Sequence, residues 1–119
     1  MVQFNELRVG NLVHVGNGIY ERVLEILCDS ITTETKQGIF DFEGIPLTPE
    51  ILEKAGFILR GFYYHFPNHD IFKLEQYKLK NSYWLRHNTQ SIDSVRINYL
   101  HQLQNLYFSL TGEELQIEL

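Results

Sequence analysis

The stretch Lys78-Leu-Lys-Asn-Ser-Tyr-Trp-Leu-Arg-His-Asn88 interleaves cations with a phenol and an indole. Aromatic rings stack on nucleobases, and a guanidinium grips phosphate through a planar fork that an ammonium does not match. Read as a strand, the segment puts Trp84 and Arg86 on one face and Tyr83, Leu85 and His87 on the other. Trp84 with Arg86 is therefore a candidate grip for a nucleotide-like anion. The competing reading makes Trp84 a core residue and the cations the wet face of a sheet.

A second cluster, His65-Phe-Pro-Asn-His69-Asp70, offers two imidazoles and a carboxylate, the donor set of a catalytic zinc site. Its i,i+4 spacing suits a helix, whereas Pro67 and Asn68 make a turn, so the histidines are expected to point to solvent. No metal or cofactor is called for. Cys28 sits beside Asp29, whose charge would disfavour the thiolate. Neither a Gly-x-Ser-x-Gly elbow nor a phosphate-binding glycine loop occurs. The acidic pairs Asp41/Glu43 and Glu113/Glu114 read as solvated surface, and no residue demands an enzyme.

The third pattern is Asn98-Tyr-Leu-His-Gln-Leu-Gln-Asn-Leu-Tyr-Phe-Ser-Leu-Thr-Gly112. At helical spacing Tyr99, Leu100, Leu103, Leu106, Tyr107 and Leu110 fall within an arc of about 120°. The other face carries His101, Gln104, Asn105 and Phe108, with no formal charge. Neutral polar groups are cheaper to desolvate than charges, so this face suits burial. The chain's own sheet, a second subunit or a ligand could cover it.

Elements must position these groups. Leu12-Val-His-Val15, the Asn17-Gly18 turn and Ile19–Leu27 read as a hairpin. Ser30–Thr35 and Ile39–Glu43 add strands, so residues 1–47 are expected to form a small SH3-like β unit. Thr48 as N-cap, Pro49 at the first turn and Gly56 as terminator frame a short helix over 48–56. Phe57–Phe66, Ile71–Leu79, Tyr83–His87 and Ser94–Ile97 predict an antiparallel meander over 57–97. Nine of the sixteen aromatics lie between Phe57 and Trp84. The amphipathic helix follows over 98–112, with Asn98 as N-cap, and alternation of Leu115, Ile117 and Leu119 predicts a C-terminal strand over 113–119. The fold class is α+β in a single domain.

With 119 residues, 44% of them hydrophobic and 21% charged, the chain can bury a core without staples. A lone cysteine excludes an internal disulfide. Met1 leads into VQFNELRVG with neither a basic start nor an apolar signal core, and no apolar run reaches membrane-spanning length, so a cytoplasmic protein away from membranes is expected. The net charge of −5 divides unevenly: −5 over residues 1–56, +3 over 57–98 and −3 over 99–119. Overall acidity disfavours long nucleic acid, while a local basic patch could hold a small anion.

Three blocks also carry a resemblance: Asn5-Glu-Leu-Arg-Val-Gly-Asn11, Ile45-Pro-Leu-Thr-Pro-Glu50 with Lys54-Ala-Gly-Phe57, and Tyr99 through Leu115. Together they resemble a family of small proteins of unassigned function found in Bacteroidota genomes, their phages and mobile elements. The resemblance implies a phage accessory role in the host cytoplasm and transfers no catalytic residue. In that setting the resemblance implies a role in binding, either blocking a host defence enzyme or sequestering its nucleotide signal.

The expectation is a non-catalytic protein that holds a small anionic nucleotide-like ligand. Arg60, Lys78 and Arg86 would meet phosphate, Tyr64 and Trp84 would stack, and His101, Gln104 and Asn105 would read polar edges. A homodimer or higher homo-oligomer through Phe108 would place the site between subunits. Two alternatives stand beside it. One is a protein–protein inhibitor with its cations held in internal ion pairs; the other is a phosphodiesterase-like hydrolase using His65, His69 or His87.

Overall fold

The computed structural model describes residues 6–16, 18–27, 30–38, 42–69, 71–76, 82–87, 90–117 and 119, with backbone alone for 87 and 90–94. The fold is α+β, with antiparallel sheets of three and five strands, one short helix and one C-terminal helix. The first sheet has the order β1 (Leu12–His14), β2 (Tyr20–Ile26), β3 (Ile31–Thr33). Helix α1 (Pro49–Lys54) follows. The second sheet is a meander of β4 (Ile58–Arg60), β5 (Tyr63–His65), β6 (Phe72–Gln76), β7 (Tyr83–His87) and β8 (Gln90–Ile97), and α2 (Leu100–Thr111) ends the ordered elements. No described helix is long and apolar enough to cross a membrane.

Local chemistry accounts for most boundaries. The Thr48 hydroxyl accepts from the Ile51 N–H at 3.3 Å, which caps α1 as its sequence predicts. At the start of α2 the cap residue is Tyr99, one position beyond the expected Asn98, because the Gln102 side chain folds back to accept from both the Asn98 and Tyr99 N–H groups at 2.8 and 3.1 Å. Gly112, at φ 74°, closes the helix by donating to the Phe108 carbonyl at 2.8 Å.

Two expectations change, and a third falls partly outside the described residues. The small N-terminal β unit, expected as SH3-like, carries three strands among the described residues; Glu43 adds only an isolated bridge to His14, and Ile39–Asp41 lie outside the described residues. Phe57–Phe66 is not one strand but a hairpin, turned at Gly61 (φ 65°) and Phe62, with Arg60 opposite Tyr63. A glycine at the first position of a two-residue loop provides the backbone twist that such hairpins favour. The C-terminal strand does not form: none of the described residues from Glu113 onward pairs in a sheet, although Leu115 and Ile117 are buried against the main core as their alternation suggests.

The described residues form two hydrophobic cores. The larger joins Leu52 and Phe57 to Tyr64, Leu74, Leu85 and Ile97 of the five-stranded sheet and to Leu100, Leu103 and Tyr107 of α2. The smaller lies in the N-terminal unit around Val13, Val23, Ile31 and Phe42. Strand β1 serves both, since alternation sends Leu12 into the larger core and Val13 into the smaller. A buried polar seam holds this junction. The Leu12 N–H donates to Gln104 Oε1 at 2.8 Å, and Asn105 Oδ1 accepts from Asn11 Nδ2 and Arg8 Nε, both at 2.9 Å. Asn105 Nδ2 in turn donates to the Glu6 carbonyl at 2.7 Å.

Replacing Gln104 by Leu leaves a buried strand N–H and the Asn11 amide without an acceptor at that position. The expected loss is about 2–3 kcal/mol, against under about 1 kcal/mol for Phe108→Ala at the exposed rim. Urea denaturation midpoints of the two variants check this, and equal losses would remove the seam from its structural role.

Candidate functional site

The pairing register sorts the five-stranded sheet into two faces. Tyr64, Leu74, Tyr83, Leu85 and Ile97 enter the core. The opposite face carries two cross-strand rows. In one, Arg60, Tyr63, Glu75, Trp84 and Arg96 stand each directly opposite the next. In the other the order is Ile58, His65, Lys73, Arg86. All of these residues are half-buried or exposed, and none joins either core. Arg60, Lys73, Arg86 and Arg96 oppose the single acid Glu75 among the described side chains of these rows, which are therefore net positive on a chain of net charge −5.

Contacts within the rows keep charge beside π-surface. The Lys73 ammonium lies 4.5 Å from the Tyr63 ring centroid and the Arg96 guanidinium 5.9 Å from that of Trp84, both within cation–π range. Glu75 accepts from Arg86 Nε at 3.1 Å and also from its Nη2, which neutralises the acid locally. At the β4 end both rows meet a depression of about 270 Å³ lined by Ile58, Arg60, His65, Phe66, Pro67 and Asn68. His65 Nδ1 is buried there without a hydrogen-bond partner among the described residues. A second depression, of about 250 Å³, is lined by Ala55, Tyr107, Glu113 and Glu114 among others, and its carboxylates would repel an anion.

Arg60, Trp84 and Arg86 thus share one surface, as their chemistry suggests. Tyr64 does not. It is buried against Tyr83, ring centroids 6.1 Å apart and edge to face, because the hairpin at Gly61 gives Arg60 the same face as Tyr63 and His65. Burial, reinforced by Glu53 and Glu50, raises the Tyr64 phenol's pKa, and burial pushes that of Tyr83 up to about 12. Both rings are core. Lys78 lies outside the described residues. Tyr63, Lys73 and Arg96 are the additions; they follow from extending the Trp84/Arg86 parity across each strand pair once the hairpin is known.

The uncharged face of α2 is covered by the chain's own N-terminal unit. Gln104 is buried with its oxygen facing Leu12 and Asn11 and its Nε2 donating to the Gly10 carbonyl at 3.4 Å. Asn105 is engaged by Arg8, Asn11 and Glu6. His101 is fully buried, stacked on Tyr99 at 5.9 Å beside Gly44, where a Cβ would meet the Tyr99 ring at 2.8 Å. These three side chains hold the fold together, and the edge-reading role expected of them is corrected accordingly. Phe108 is 40% exposed, but the Arg8 guanidinium lies 4.5 Å over its ring, so part of what a second subunit was expected to cover is met within the chain.

The histidine cluster separates. His65 belongs to the cationic face, whereas His69 packs edge-on to Tyr107 and bonds Glu113 at 2.5 Å. Asp70 lies outside the described residues, and for His87 only backbone is described. Among the described residues, no three His, Cys, Asp or Glu side chains converge as metal ligands. Donors, cations and ring faces equip the surface for holding an anion.

Burial drives the His101 pKa below its ordinary value, an effect that the Glu6 carboxylate at 3.6 Å offsets only in part. The unfolded chain therefore takes up this proton first as pH falls. The stability that the neutral ring contributes is complete above about pH 6.5 and is lost as pH falls from there towards the folded value. Urea midpoints at pH 7.5 and 5.5 should differ in the native chain and differ less in His101→Gln. An equal pH dependence in the two would exclude His101 as the source.

Compared with known proteins, the chain matches no family model, no curated protein and no solved structure.

Proposed function

We propose that this protein is a non-catalytic binding module that holds an anionic, nucleotide-like ligand on the outer face of its five-stranded sheet. The observation that carries the reading is the register: two rings and four cations brought onto one solvated face, none of them drawn into a core. Phosphate would be met by Arg60 and His65 at the depression and by Lys73 and Arg96 along the rows, and bases would stack on Tyr63 and Trp84. In the phage setting that the family resemblance implies, such a module would sequester a nucleotide signal of host defence.

One observation favours the inhibitor reading. Arg86 is held by Glu75, the internal ion pairing expected of a protein whose cations are structural. The two readings separate on the terminal cations of the row that runs from Arg60 to Arg96. Arg60 and Arg96 are exposed, so reversing both charges should leave the fold intact.

Melting curves with and without linear and cyclic nucleotides provide the test, since ligand at 100 times its Kd adds about 2.7 kcal/mol. On the ligand reading Arg60→Glu with Arg96→Glu weakens binding at least about tenfold, or about 1.4 kcal/mol. Glu75→Gln should strengthen it several-fold by removing the one acid among the described side chains of the two rows. No stabilisation by any nucleotide, with both variants folded, would overturn the proposal and leave the inhibitor reading.

A further inference from the structure

The layout of the rings and cations narrows the ligand class. We infer that the ligand is a single-stranded oligonucleotide lying across the strands, from Arg60 at β4 to Arg96 at β8. This rests on the nucleotide reading above and adds length and direction to it.

Tyr63 and Trp84 occupy β5 and β7, with Glu75 of β6 between them in the same row. Adjacent strands are about 4.8 Å apart, so the two rings are rooted about 10 Å from one another. With Glu75 standing between them, the two rings offer separate stacking surfaces. The ligand that uses both rings has at least two bases, held apart.

The cations extend the same argument. Arg60 and Arg96 stand at opposite ends of the row, four strand spacings or about 19 Å apart. One mononucleotide does not bridge that distance. Lys73 and Arg86 lie in the neighbouring row between those ends, so positive charge accompanies the rings across the sheet. Glu75, paired with Arg86, interrupts this charge at the middle and favours a ligand whose phosphates pass to either side of it. A cyclic dinucleotide supplies two bases but closes its phosphates into a compact ring. An extended strand of about four nucleotides, the lower end of single-strand site sizes, has the reach and the alternation of base and phosphate that the rows present.

The interaction is electrostatic and therefore salt-dependent. Three exposed or half-exposed cations (Arg60, Lys73 and Arg96) neutralising phosphates predict a slope of log K against log [salt] of about −2 for a single strand. Losing one of them should make that slope shallower by about 0.7.

The experiment measures binding of the intact chain to thymidine monophosphate, a cyclic dinucleotide, and four- and eight-residue oligo(dT) and oligo(U), by calorimetry or by anisotropy with labelled strands. The inference expects the four-residue strands to bind at least tenfold more tightly than the mononucleotide or the cyclic dinucleotide, with the salt slope above. Arg60→Gln should reduce both affinity and slope, and Tyr63→Leu should reduce affinity with the slope unchanged; circular dichroism verifies that each variant folds. Equal or tighter binding of the mononucleotide or cyclic dinucleotide would overturn the oligonucleotide inference and leave the nucleotide-binding proposal standing. No binding by any member would overturn both. Preference for oligo(U) or oligo(dT) would assign the strand as RNA or DNA.

Discussion

The architecture depends on a buried amide seam. Segment 6–12 lies along α2, where its N–H and C=O groups lose water and need partners. Gln104 and Asn105 supply both donors and acceptors from adjacent positions on one helix face, meeting the Leu12 N–H, the Asn11 amide and the carbonyls of Glu6 and Gly10. Neutral amides do this with less desolvation than charged side chains would. Formal charge enters with Arg8, whose Nε donates to Asn105 Oδ1 while its Nη1 reaches Glu114 at 2.8 Å and its guanidinium covers Phe108.

That seam determines which surfaces remain for function. Helix α2 turns its amide face to the N-terminal unit and its apolar stripe to the five-stranded sheet, so it is packed on both sides. The short α1 adds Leu52 to the same core. Both helices are therefore committed to one face of the sheet, and antiparallel alternation places the polar and amphipathic residues on the other, where the described side chains are half-buried or exposed. Tyr63, Trp84 and the cations are there because Tyr64, Tyr83 and Leu85 fill the core. The described side chains of its two rows carry four cations and one acid on a chain of net charge −5.

The two helices, the cap of α1 and the terminator of α2 are legible in the sequence because each depends on neighbours within one or two turns. Thr48-Pro49 and Gly112 show this, as does the Leu100, Leu103, Tyr107 stripe. The candidate site was half legible. Trp84 and Arg86 share parity within one strand, so their common face could be read directly. Tyr64 was misplaced because Phe57–Phe66 reads as one continuous strand, in which Arg60 and Tyr64 share a face. The two-residue turn at Gly61 and Phe62 reverses the chain and exchanges Tyr64 for Tyr63. A single glycine among aromatics is a weak signal for a hairpin, yet it changes the side on which every later residue of that segment lies.

By itself, then, the sequence determined the α+β class, the two helices, the apolar stripe of α2 and the concentration of cations and rings in the middle third. These follow from periodicity, capping and composition, which act over short distances along the chain. Tertiary structure decided what covers the uncharged helix face and which cations stand in one row. It also separated His65 from His69 by placing one on the open sheet and the other against α2. Those outcomes depend on strand register and on contacts between residues nearly a hundred positions apart, such as Arg8 with Asn105. No local pattern encodes which distant backbone group a buried amide will satisfy; packing of the two cores selects it.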